Sequence, residues 1–194
     1  LFGKSPWKNL ICTGFINAAD GKKMSKKLKN YTDPMELMNK TSADSFRFLM
    51  LSSPLTNGEN FALADKDVMD VARKLGMIWN MYDFFTMYAE VDGWEFNGDL
   101  SDPLHDLTNP LDVWIVSRLH QLITEVERGL NNYNLQDATK PILPFLDDAS
   151  NWYVRRSRRR FWKSEDDGDK NDAYRTLHYV LVRLSYMLAP FTPF

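Results

Sequence analysis

With 194 residues, 44% of them apolar and 13% aromatic, the chain can bury a substantial core, which excludes disorder as its default state. Its 24 lysines and arginines against 26 acids give a net charge of −2, so any case for nucleic-acid binding must rest on local clusters. Cys12 stands alone, which excludes an internal disulfide, and His105, His120 and His178 lack short ligand spacing, so no metal site is expected in this chain.

No apolar run reaches the roughly 18 residues of a membrane span, and no signal peptide is visible. No membrane association is expected, and the cytoplasm is the expected compartment. The chain begins Leu1-Phe2-Gly3 and stops at Ala189-Pro190-Phe191-Thr192-Pro193-Phe194, which reads as an internal piece of something longer.

Loose alternation over residues 8–19 predicts a strand, with Leu10, Cys12 and Gly14 set against Ile11, Thr13 and Phe15. Asp20-Gly21 signals a turn, which places Lys22-Lys23-Met24-Ser25-Lys26-Lys27 on an exposed hairpin loop. Asp33-Pro34 opens a helix, with Asp33 as N-cap and Leu37, Met38 and Thr41 as its buried face. A further helix is expected around Ala43–Ser52, carrying Phe46, Phe48, Leu49 and Leu51. Pro54 to Asn60 is a loop and the first plausible boundary.

Beyond it the period becomes helical. Asp65 is expected to cap a long helix whose stripe is Val68, Val71, Ala72, Leu75, Ile78, Trp79 and Tyr82. Running to about Ala89, it would span roughly 36 Å. A polar connection from Gly93 to Pro103 leads to Asn109-Pro110, which caps a helix striped by Ile115, Leu119, Leu122, Ile123, Val126 and Leu130. The next segment runs from about Leu135 to Trp162, with Pro141 and Pro144 breaking or kinking its start. An acidic loop, Glu165 to Asp169, precedes a last helix capped by Asn171 or Asp172. That helix buries Ala173, Leu177, Val180, Leu181, Leu184 and Leu188 and stops before Pro190. The fold class expected is mainly α: a helical bundle over 65–194, preceded by a short β/α piece over 1–64.

Two clusters carry chemistry. Lysines on a loop suit a polyphosphate. When a carboxylate attacks the α-phosphorus of ATP, charge builds on the equatorial and leaving oxygens, and an ammonium stabilises that state more than the ground state. Met24 and Ser25 hold Lys23 and Lys26 three apart, and in a one-turn loop that spacing aims both at one side. The plain alternative is a solvated hairpin tip that blunts a strand edge. The second cluster is Asn151-Trp152-Tyr153-Val154-Arg155-Arg156-Ser157-Arg158-Arg159-Arg160-Phe161-Trp162. In helical register Trp152, Arg156, Arg160 and Lys163 share a face, with Arg155 and Arg159 beside it. Such like-charge crowding destabilises a helix unless counter-charge arrives, and phosphates could supply it while tryptophans stack on unpaired bases. The plain alternative is that Glu165, Asp166, Asp167 and Asp169 fold back onto the arginines, with Trp152 and Tyr153 as core.

Lys23-Met24-Ser25-Lys26, following a strand and Gly21, resembles the KMSKS signature of class I aminoacyl-tRNA synthetases. Lys27 stands where that family usually has serine. Lys29-Asn30-Tyr31-Thr32-Asp33-Pro34 resembles the family's continuation. Ser150 to Trp162 is similar to the anticodon-binding helix of the isoleucyl-tRNA synthetases, and Ala189 to Phe194 to the segment that follows in their bundle. The resemblance runs from Gly14 to Phe194. It implies the end of a catalytic domain with its stem-contact region over 1–64, and an anticodon-binding bundle over 65–194. It implies ATP, with Mg2+, as cofactor and tRNA(Ile) as partner, with isoleucine bound by parts outside this chain. Lys26 would then stabilise pyrophosphate departure with Lys23 assisting, both as catalytic groups. Lys23, Met24, Ser25, Lys26 and Lys27 would together form the ATP loop, and Trp152, Arg155, Arg156, Arg159 and Arg160 would face tRNA. His-Ile-Gly-His, the other signature of the class, does not occur in this chain, and the piece alone is expected to be inactive. The competing readings are a valyl or leucyl enzyme, a non-catalytic RNA-binding module, and a helical protein scaffold.

Overall fold

A computed structural model describes residues 3–162 and 167–194. The N-terminal part holds two short strands, β1 (Ile16–Ala18) and β2 (Phe61–Leu63). They pair in parallel, Ile16 opposite Phe61 and Ala18 opposite Leu63. Parallel strands need a crossover, and here it contains the lysine loop and two helices, α1 (Pro34–Lys40) and α2 (Ala43–Ser52). The strand expected over 8–19 is thus confined to its last residues. Residues 8–15 have no regular pairing, and Leu10 and Ile11 lie exposed. The chain instead crosses residues 55–61: the Gly14 amide donates to the Leu55 carbonyl at 3.0 Å and the Phe15 amide to Asn60 Oδ1 at 2.9 Å. Glycine is needed at 14 because a Cβ there would lie 1.9 Å from the Glu59 carbonyl oxygen. β2 lay unread in the sequence because three residues are too few to show alternation.

Asp33 caps α1 by accepting from the Met35 amide, and Leu37 is its buried residue. Ser42 caps α2 by accepting from the Ser45 amide. α2 packs on the bundle: Phe48 joins the main core, and the Arg47 guanidinium donates to the carbonyls of Pro190 and Phe191. The packing therefore runs across the expected division at residue 64.

The bundle begins with α3 (Asp65–Asp92). Its N-cap is Ala64, without a side-chain bond. Asp65, expected to cap it, is its first helical residue and accepts from Thr32 Oγ1 at 2.7 Å. Val68 and Val71 are buried in its first half, Met81 and Phe85 in its second. From Val71 to Met81, at about 100° per residue, the buried side turns by roughly 80°, as Phe85 meets Tyr174 edge-on. Trp79 and Tyr82, expected on the stripe, are left 68% and 48% exposed.

α4 (Pro110–Asn131) is capped by Asn109, as the sequence indicates, and buries Ile115, Val116, Leu119, Leu122 and Val126. α5 (Leu135–Thr139) packs closely on it. α6 (Ile142–Asp147), a π-helical segment (Asp148–Val154) and α7 (Arg155–Trp162) follow one another without a break. α8 (Asp167–Leu188) starts earlier than the Asn171 or Asp172 expected, and it buries every apolar residue assigned to it. Among the described residues no helix is long and apolar enough to cross a membrane.

Gly129 marks the closest approach of α4 and α5. A Cβ there would fall 2.5 Å from the Ala138 nitrogen and 2.6 Å from its Cα. Backbone cannot rotate aside, so Gly129→Ala should destabilise the chain by about 1–3 kcal/mol. A urea midpoint equal to that of the unaltered chain would show that the helices can part freely.

Candidate functional site

The lysine loop is a tight turn followed by a second one. The Gly21 amide donates to the Ala18 carbonyl at 2.8 Å, with Gly21 at φ +78°, and Asn17 bridges to Lys23 in antiparallel sense. The Ser25 carbonyl then accepts from the Leu28 and Lys29 amides at 3.2 and 3.0 Å, which closes a turn over 25–29. That turn contains Lys26 and Lys27 but not Lys23, which sits on the preceding bridge. The spacing of Lys23 and Lys26 is therefore not that of one helical turn. Both lysines and Lys27 are exposed, and among the described residues none of the three pairs with a carboxylate. Met24 and Ser25 are half-buried and carry the loop. Among the described residues, the sole ion pair of the segment is Lys22 with Asp20, at 3.9 Å. Ammonium groups that lack a carboxylate partner among the described residues, set on one short loop, have the chemistry to offset a polyphosphate's charge.

The second cluster divides into two sides. Tyr153, Val154, Ser157 and Phe161 are buried, whereas Trp152, Arg155, Arg156, Arg158, Arg159 and Trp162 face outward. The Arg156 guanidinium lies 4.0 Å from the Trp152 ring centre, a cation–π stack that holds both in place. Arg158 stands 5.9 Å over the Phe84 ring of α3. Among the described residues, Arg155, Arg156, Arg158 and Arg159 make no ion pair. Among the described residues, the fold-back of acids onto the arginines is seen at one position. Glu165, Asp166 and Lys163 lie outside the described residues.

That position is Arg160, which does not face outward with Arg156. Its fork binds both oxygens of Asp112, at 2.7 and 2.6 Å, and its Nε donates to Asp169 at 2.8 Å. Asp112 is fully buried and also accepts from the Tyr153 hydroxyl at 2.7 Å. Asn109 donates to Asp169 at 3.0 Å. Burial works against the charged guanidinium, yet the bonds to Asp112 and Asp169 prevail and hold its pKa above the ordinary value. Burial, then the Asp112 charge, push the Tyr153 hydroxyl well up. Burial also opposes the Asp169 charge, but its bonds from Arg160 and Asn109 hold it below the usual carboxylate range. A buried carboxylate is satisfied here by one arginine and one phenol.

The π segment is pinned at its start. Lys74 of α3 pairs with Asp147, and Arg118 of α4 binds Asp148 at 2.9 Å. Sequence reasoning missed Asp112, although the signal was present: it falls on the apolar stripe with Ile115 and Leu119, where an acid needs a buried partner. It also missed Asn30, whose carboxamide touches the lysine loop twice and for which no periodic signal exists.

Residues 1–62 match the family described as tRNA synthetases class I (I, L, M and V), and residues 112–194 match the anticodon-binding domain of tRNA ligase. The chain belongs to the class I tRNA synthetases. Within that class its relatives include isoleucine–tRNA ligase of Treponema denticola and of Bdellovibrio bacteriovorus, each 40% identical across 100% of this chain. The chain spans 18% of the length of each of these relatives. Among solved structures, the fold resembles a LeuRS–tRNA–LeuAMS ternary complex from Agrobacterium radiobacter K84, with a TM-score of 0.68 at 20% identity over 93% of this chain and 20% of that one. It also resembles methionyl-tRNA synthetase of Mycobacterium tuberculosis bound by methionyl-adenylate, with a TM-score of 0.67 at 23% identity over 93% of this chain and 35% of that one.

Proposed function

We propose that the chain is the part of an isoleucine–tRNA ligase that supplies the ATP loop and the anticodon-binding bundle. The reaction of the whole protein is isoleucine plus ATP to isoleucyl-adenylate and pyrophosphate, followed by transfer to tRNA(Ile). Lys26, with Lys23, faces the phosphates of ATP, whose Mg2+ accompanies the nucleotide. Met24, Ser25 and Lys27 shape the loop. Isoleucine is held by parts outside this chain, and the cytoplasm is the working compartment. In the functional division, residues 1–64 belong to the catalytic and stem-contact side and 65–194 to the bundle.

The observation that carries this reading is the pair of outward cationic clusters. Among the described residues, the ammonium groups of Lys23, Lys26 and Lys27 and the guanidinium groups of Arg155, Arg156, Arg158 and Arg159 make no ion pair, and Trp152 beside the latter is exposed. Arg155, Arg156 and Arg159 face the anticodon arm with Trp152, and Arg158 joins them. Arg160 supports the helix from beneath.

The test is a titration with tRNA(Ile) at about 50 and 200 mM salt. Arg156→Ala combined with Arg159→Ala should remove about two phosphate contacts and flatten the salt dependence accordingly. An unchanged slope and affinity would take this face out of tRNA binding.

A further inference from the structure

Between Lys23 and Lys29, the side-chain hydrogen bonds made by the described residues involve two side chains, Ser25 and Asn30. Asn30 Oδ1 accepts from the Ser25 amide at 2.9 Å, and its Nδ2 donates to the Lys23 carbonyl at 3.2 Å. One carboxamide thus spans the loop from the residue before Met24 to the residue after it, much as a neighbouring strand would. Ser25 is the pivot of the next turn, because its carbonyl takes the Leu28 and Lys29 amides and its hydroxyl accepts from Leu28 at 3.4 Å. The Cα positions of Lys23 and Lys26 flank the two groups that Asn30 holds.

The backbone bears a cost for this arrangement. Lys29 has φ +49°, in the left-handed region that a non-glycine residue adopts reluctantly. Such a conformation persists only where its surroundings fix it. The chain just beyond Asn30 is tied down: Thr32 Oγ1 donates to Asp65 at the start of α3, and Asp33 caps α1. The clasp is therefore followed directly by an anchored segment, while the lysines stay exposed.

We propose that Asn30 is a positioning residue for adenylation: its carboxamide fixes where the Lys23 and Lys26 side chains leave the backbone, and so where their charges meet the phosphates. It touches neither nucleotide nor substrate. The inference rests on the reading of this loop as the ATP loop. A misplacement of about 1 Å in a charge that acts on the transition state costs on the order of 100-fold in rate. Alanine at 30 frees the Ser25 amide and the Lys23 carbonyl together, which lets the lysines wander without removing them.

The experiment uses the full-length protein and isoleucine-dependent ATP–pyrophosphate exchange, with Lys26→Ala run beside Asn30→Ala. Asn30→Ala should lower kcat by about 10–100-fold while the KM for isoleucine stays within about twofold. Lys29→Gly keeps the clasp and suits the positive φ, so its rate should stay within about threefold of the unaltered protein. Amide hydrogen exchange should quicken in peptides covering 22–31 in Asn30→Ala and remain unchanged in those covering 110–131. Full activity in Asn30→Ala beside a defective Lys26→Ala overturns the positioning role and leaves the ATP reading in place. Full activity in Lys26→Ala removes both. Quickened exchange across 110–131, or a parallel change in the KM for isoleucine, reduces Asn30 to a general stabilising residue and also overturns the proposal.

Discussion

Arg160→Ala is expected to be the most damaging substitution for stability in the chain, at about 3–5 kcal/mol. Asp112 has no exposed surface, and the arginine side chain has only 11%. Truncating the arginine leaves the carboxylate in the core with a single phenol donor, and an unpaired buried charge is costly. With a domain of this size, that loss lowers the melting temperature by roughly 6–20 °C. Arg160→Lys recovers part of the loss, because an ammonium keeps the charge but cannot reproduce the two-pronged bond. Arg156→Ala, which removes an exposed side chain stacked on Trp152, should move the melting temperature little. The cluster also gives stability an acid limb. Asp169 has its pKa depressed in the fold, so its contribution is full above the ordinary carboxylate value and is lost as pH falls through the lower, folded value. Without Arg160 that contribution, and its loss in acid, should both shrink. Thermal melts of the two alanine variants at neutral and acid pH decide the matter. If Arg156→Ala were the less stable of the two, the assignment of inner and outer arginines would be reversed.

Lys26→Ala in the full-length protein is expected to slow adenylation by about 10²–10³, equivalent to about 3–4 kcal/mol of barrier. The side chain is exposed and makes no ion pair among the described residues, so stability should be unaffected and the loss should lie in kcat. Lys23→Ala should cost less, since Lys23 sits on the bridge with Asn17 and not in the turn that presents Lys26. Rapid-quench measurement of adenylate formation separates this from the transfer of isoleucine to tRNA. Adenylation at the ordinary rate would take Lys26 out of the reaction.

The helices were legible in the sequence wherever a cap and a stripe agreed. Asp33-Pro34 and Asn109-Pro110 show this, since each pairs a local signal with a matching buried face, whereas in α8 the stripe from Ala173 to Leu188 was legible and the start was not. Legibility failed where the fold depended on distant pairing. β2 is too short to carry a period, and β1, the end of the strand expected over 8–19, is held by β2 and by the Asn17–Lys23 bridge rather than by a long run of its own. It failed again at α3, whose buried side turns part-way along and strands Trp79 and Tyr82 outside. In the candidate site, residue types and their exposure could be read from composition and spacing, but the special status of Arg160 could not. It looks like its neighbours in sequence, and Asp112, 48 residues away, sets it apart together with Asp169. Asn30 is hidden for a different reason: its partners are the backbone groups of Ser25 and Lys23, which leave no signal in residue type.

The π segment from Asp148 to Val154 works as a gear in the continuous helical run from Ile142 to Trp162. Each residue added to or taken from a helix swings everything beyond it by about 100°. The wider coils of this stretch set the phase at which α7 begins, with Tyr153 and Phe161 pointing to the interior and the guanidinium row to the outside. A chain one residue shorter here would rotate that row toward α3 and α4 and drive an aromatic ring into water. The handedness of charge on this face is thus written by a local count of residues, upstream of the first arginine.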